Sequence, residues 1–104
     1  MKKLIPFLMA ALALPALGAN YTVVPNWAKV PTGETQIGSM HGDVAVNSKG
    51  EVYVSVQGGP KAGLQVYSAQ GKYLRNVPKA PKDFHGFVIK KLAGGEHIYG
   101  ARLG

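Results

Sequence analysis

Along most of this chain the apolar residues recur at every second position, and no stretch sustains the 3.6-residue repeat of an amphipathic helix. The clearest run is Glu51-Val52-Tyr53-Val54-Ser55-Val56-Gln57. Its three valines fall on one face of an extended strand, with Tyr53 and Ser55 on the other. Asp43-Val44-Ala45-Val46 precedes it through Asn47-Ser48-Lys49-Gly50, where Asn and Gly are expected to supply the positive-φ positions of a tight hairpin. Leu64-Gln65-Val66-Tyr67 follows, then a turn at Ser68-Ala69-Gln70-Gly71, then Lys72-Tyr73-Leu74-Arg75-Asn76-Val77. Four consecutive strands joined by short turns predict one antiparallel meander.

The pattern then begins again. His41-Gly42-Asp43-Val44-Ala45-Val46 is echoed 44 positions later by His85-Gly86-Phe87-Val88-Ile89-Lys90. Two extra residues in the next turn align Val52-Tyr53-Val54 with Ile98-Tyr99-Gly100. A four-stranded unit recurring at roughly 40 to 50 residues is the repeat of β-propeller blades. The expected fold is therefore all-β, with about one and a half propeller blades, each a four-stranded antiparallel meander. Residues 41–84 form the first blade and 85–104 the start of a second, truncated one. Residues 20–40 form an N-terminal segment in which Tyr21-Thr22-Val23-Val24 is a candidate ring-closing strand. Propellers close with about 4 to 8 blades, so the expectation is an N-terminal fragment of a longer protein. The rival is a small β protein that oligomerises.

The one long apolar stretch lies ahead of this pattern. Lys2 and Lys3 precede residues 4–17, which are apolar, and small residues follow at Gly18 and Ala19. This is the three-part pattern of a secretory signal peptide over residues 1–19, cleaved after Gly18 or Ala19. A membrane-spanning helix needs roughly 20 apolar residues, and this stretch is shorter and holds Pro6 and Pro15. The expected location is secreted or periplasmic, with no stable membrane span after cleavage.

The leader carries two of the lysines, so its removal lowers the formal charge from +7 to +5. The remaining basic residues are scattered, with Lys90-Lys91 the one adjacent pair after residue 19, which argues against nucleic acid as a partner. With no cysteine, a short exported domain must draw its stability from its core, a metal or a partner. Gly58-Gly59-Pro60-Lys61-Ala62-Gly63 lacks the order of a phosphate-binding loop and reads as a flexible connection between strands. Trp27 and Tyr67 read as packing aromatics, and His97 as a solvated loop residue.

Val24-Pro25-Asn26-Trp27, Pro31-Thr32-Gly33, Ile37-Gly38, the strand opening at His41 and Gly50-Glu51-Val52-Tyr53-Val54 resemble the start of the six-bladed NHL-repeat propellers. Among these the chain is most similar to the peptidyl-α-hydroxyglycine α-amidating lyase-like group. The resemblance implies a metal, usually zinc, in the central channel, held by histidines at the starts of inner strands of different blades. His85, in Phe84-His85-Gly86-Phe87, matches the first metal histidine of that group. His41 occupies the equivalent place one blade earlier and is a second candidate ligand or a channel-lining residue. About three protein ligands plus water make a catalytic zinc site, so further ligands are expected in later blades. The alternative for both His-Gly pairs is structural, the imidazole capping the start of a strand. Gln57-Gly58 stands where the lyases carry Arg-Gly, and Gly100-Ala101-Arg102 departs from the Asp-before-Arg pattern of such a blade.

The resemblance implies a metal-dependent, lyase-like enzyme acting on a small molecule or peptide. The alternative is a non-catalytic propeller that binds a protein or glycan. No catalytic residue is assigned by the sequence.

Overall fold

A computed structural model describes residues 18–104. The expected leader therefore lies outside the described residues, apart from Gly18 and Ala19. The described chain is all-β and contains six strands: β1 (Val44–Val46), β2 (Val52–Val56), β3 (Gly63–Tyr67), β4 (Tyr73–Asn76), β5 (Phe84–Leu92) and β6 (Gly95–Arg102). The first four form one antiparallel sheet in chain order, and β5 and β6 form a separate hairpin. This is one complete blade and half of a second. No helix among the described residues is long and apolar enough to cross a membrane.

The alternation seen in the sequence decides the two faces of the first sheet, and both faces are covered. Tyr53, Leu64 and Val66 pack with Phe87 from β5, flanked by Ala45, Val77, Phe84, Ile89 and Ile98. On the other face Val54, Val56 and Tyr67 pack beneath Trp27, Ala28 and Ile37 of the N-terminal segment. The central strands β2 and β3 are accordingly buried along nearly their whole length. Trp27 is the packing aromatic the sequence indicated: its ring lies 6.2 Å from that of Tyr67, and its indole N–H donates to the Ala69 carbonyl at 3.1 Å. Tyr21 and Val23, in the candidate ring-closing stretch, are exposed coil with no strand partner among the described residues.

Two buried polar side chains, Ser55 and Gln65, interrupt the apolar core, and both are hydrogen-bonded. Gln65, fully buried on β3, donates to the carbonyls of Ile37 and Lys61 and accepts the Tyr67 hydroxyl at 2.6 Å. One amide thus stitches the N-terminal segment and the β2–β3 connection to the sheet, where loss of a partner would leave a costly orphan. Asn76 adds a second bond to the Lys61 carbonyl, at 3.0 Å. The connection through Lys61, expected to be flexible, is therefore pinned from two strands.

Three local expectations are corrected. Gly50 takes a positive φ of 80°, as the hairpin requires, but Asn47 does not. Asn47 shapes the turn through its side chain instead, its Oδ1 accepting the amides of Lys49 and Glu51 at 3.0 and 2.9 Å. The second hairpin is longer than the repeat suggested, because no turn residues intervene before Ala93-Gly94. Leu92 pairs with Gly95 across a two-residue turn. That extension places His97 within β6, opposite Lys90, on an exposed position of a strand and not in a loop.

Charged side chains brace the ends of the strands. Arg75 on β4 reaches across β3 to Glu51, making two bonds of 3.0 Å to its carboxylate. This fork, with Asn47 donating to the same carboxylate, holds the Glu51 carboxyl at about 2, far below its ordinary 4.5. Arg102 shares its Nε–H between the two carboxylate oxygens of Asp83, at 2.9 and 3.0 Å, an ion pair that closes the open end of the β5–β6 hairpin. Arg102, which in sequence lacks the Asp that the lyase pattern places before it, thus pairs with Asp83 instead, and this contact lowers the Asp83 carboxyl. Glu96 links the two sheets, its carboxylate accepting the Ser48 amide at 2.8 Å.

Candidate functional site

His41 precedes β1 by three residues and His85 is the second residue of β5. The meander and the hairpin lie side by side, so the equivalent ends of two successive blades meet. The two imidazole centroids are 5.2 Å apart, with ring planes inclined by 59°. Both side chains are exposed, on an open ledge, and no enclosed cavity forms among the described residues.

The placement of His85 depends on an irregularity that the sequence pattern does not announce. Phe84 pairs with Arg102, but Gly86 pairs with Ala101, so the register shifts across His85 and leaves it as the extra residue of a β-bulge. Bulges bend a strand and re-aim a side chain without breaking the sheet. Phe84 and Arg102 form a non-hydrogen-bonded pair, the Leu103 amide bonding the Asp83 carbonyl beside them, so the Phe84 carbonyl faces away from β6. That carbonyl turns toward the first sheet and accepts the Ser55 hydroxyl and, at 2.7 Å, the Gln57 side-chain amide.

Gln57 is the residue that sequence reasoning noted only for not being an arginine. Its Oε1 accepts the backbone N–H of His41 at 3.1 Å, while its Nε2 donates to the Phe84 carbonyl and, at 3.1 Å, to Ser55 Oγ. Gly42 makes this convergence possible. A Cβ there would come within 2.8 Å of both Gln57 Nε2 and Ser55 Cβ. The His-Gly pairing in the sequence is thus a spacing requirement in the first blade. At Gly86 the corresponding Cβ would meet only Asp43 Oδ2, at 4.0 Å.

The donor set suits a soft or borderline divalent cation. Neutral imidazoles are zinc ligands, and two of them on one tetrahedral ion at Zn–N distances of about 2.0–2.1 Å place their ring centres about 5 Å apart. The observed spacing equals that value, and it also falls within the range of ordinary ring packing. Among the described residues no third His, Cys, Asp or Glu joins the pair in a ligand cluster. The Asp43 carboxylate is turned to its own strand, its Oδ1 accepting the Val44 amide at 3.0 Å. His97 stands apart, its ring beside Tyr99 and its Nδ1 on the Gly95 carbonyl.

Comparison with known protein families, curated proteins and solved structures finds no match for this chain. The functional reading therefore stands on the geometry of the ledge and on the residues that build it.

Proposed function

We propose that this chain is the N-terminal part of an exported NHL-type β-propeller in which His41 and His85 contribute two ligands to a zinc site on the axial side of the blades. The observation that carries the reading is the 5.2 Å approach of two histidines from equivalent positions of successive blades. A zinc ion bound there would act as a Lewis acid toward a carbonyl, hydroxyl or carboxylate of a small molecule or peptide. The chain's own part is to present two imidazoles from successive blades and to leave the opposite side of the ledge open to a ligand.

A second reading shares the fold but not the chemistry. Gln57 occupies the place of the lyases' arginine, and its amide is consumed by backbone bonds to His41 and Phe84. No cationic group is thereby offered to an anionic substrate at that position, which favours a propeller that binds a peptide or glycan over one that performs the lyase reaction.

Zinc titration of the full-length protein by calorimetry, with metal content measured after dialysis, tests the first reading. One zinc per chain is expected, with binding lost in both His41→Ala and His85→Ala and weakened on acidification, because protonated imidazole cannot ligate. Equal zinc content in the wild type and both variants would remove the metal site and leave the binding-propeller reading.

A further inference from the structure

We infer that Gln57 is a positioning residue that sets the separation of His41 and His85, an inference that rests on reading the pair as a metal site. His41 lies ahead of β1 and His85 on β5 of the other sheet, so no ladder hydrogen bond fixes one relative to the other. The Gln57 side chain bonds to both sides of the gap. Gln57 follows directly on β2, accepts the N–H of His41 itself and donates to the carbonyl of Phe84, the residue before His85.

The chemistry of the amide makes the bridge directional. It needs an acceptor facing His41 and a donor facing Phe84, and of the uncharged side chains of this length only glutamine supplies both. Reversing the amide would set a donor against the His41 N–H and an acceptor against the Phe84 carbonyl, so its orientation is determined by its partners. Ser55, 2 % exposed, backs the bridge by donating to the same carbonyl while accepting from Gln57. Because the bridge ends on the carbonyl of the residue that precedes the bulge, the bridge and the bulge hold His85 jointly. Outer partners that orient ligating histidines typically account for about 10–100-fold in metal affinity.

Two variants separate the functions of the amide in the full-length protein. Gln57→Met keeps the length of the side chain and removes both the acceptor and the donor. Gln57→Glu keeps the acceptor for His41 and removes the donor to Phe84. The readouts are the nuclear Overhauser effect between the two imidazole rings in metal-free protein, amide-exchange protection of β2 and β3, and zinc affinity by calorimetry. The wild type is expected to show the ring-to-ring effect. Both variants are expected to lose it with β2 and β3 still protected, and to bind zinc about tenfold or more weakly. A ring-to-ring effect missing from the wild type, or retained in a variant, would overturn the inference. So would unchanged zinc affinity in a variant of a protein that binds zinc. If Gln57→Met fails to fold, Gln57→Glu alone decides. Should the wild type bind no zinc while the effect vanishes in the variants, positioning by Gln57 stands and the metal reading falls.

Discussion

Phe87→Ala separates the contribution of the second hairpin from that of the first blade. Phe87 is the one fully buried side chain that β5 and β6 insert into the core, 4 % exposed, between Tyr53, Leu64 and Val66 and stacked 6.3 Å from Phe84. Truncation removes the buried ring that anchors the hairpin against the sheet and leaves a cavity, a loss of about 3–5 kcal/mol for a buried Phe→Ala. A domain of this size has a total stability of roughly 0.05–0.15 kcal/mol per residue, so the hairpin's share is largely spent. The four-stranded sheet keeps its other cluster, in which Val54, Val56 and Tyr67 pack under Trp27, because no residue of the hairpin enters it. The unfolding is therefore local: amides of β5 and β6 lose exchange protection while those of β2 and β3 keep most of theirs. The His41–His85 contact is lost with the hairpin, so under the proposed metal reading zinc affinity is expected to fall although neither histidine is altered. Native amide exchange followed by mass spectrometry or NMR reads both effects. Equal loss of protection in all strands would refute the division into two clusters, and full retention in β5 and β6 would refute the assigned role of Phe87.

Gly42→Ala drives a methyl group against Gln57 and Ser55 at the first blade's strand start and is expected to cost about 1–3 kcal/mol of stability, measured by thermal unfolding; Gly86→Ala, with an open neighbourhood, serves as the milder control. The Glu51–Arg75 fork predicts a signed pH dependence. Because folding lowers the Glu51 carboxyl from 4.5 to about 2, the stabilisation is complete above about 4.5 and is lost as the pH falls toward 2. Melting temperatures of the wild type should accordingly drop relative to Glu51→Gln across that window, and a constant difference down to pH 2 would contradict the assignment.

The strands were legible in the sequence because alternation is a local property. Val52, Val54 and Val56 cannot share a face unless the backbone is extended, and the turn residues at Gly50 and Gly71 then close the meander. The repeat located both histidines at equivalent strand starts. What alternation cannot report is which groups meet across the gap between two sheets. The bulge at His85 lies where Phe84 and Gly86 pair with the adjacent residues Arg102 and Ala101, between the Asp83–Arg102 ion pair at one end of the hairpin and the Ala93-Gly94 turn at the other. Asn47 carried a turn signal whose mechanism was misread, since its side chain and its φ serve the same turn by different means. His97 looked like a loop residue because glycines precede it, yet pairing with Lys90 carries the strand through it. Gln57 gave no signal beyond being polar at the end of an apolar strand. The amino-acid order alone determined that two imidazoles begin two successive blades; only the packing of one sheet against the next decided that they lie 5.2 Å apart, because that distance is set by Phe87 in a shared core and by one amide spanning the seam.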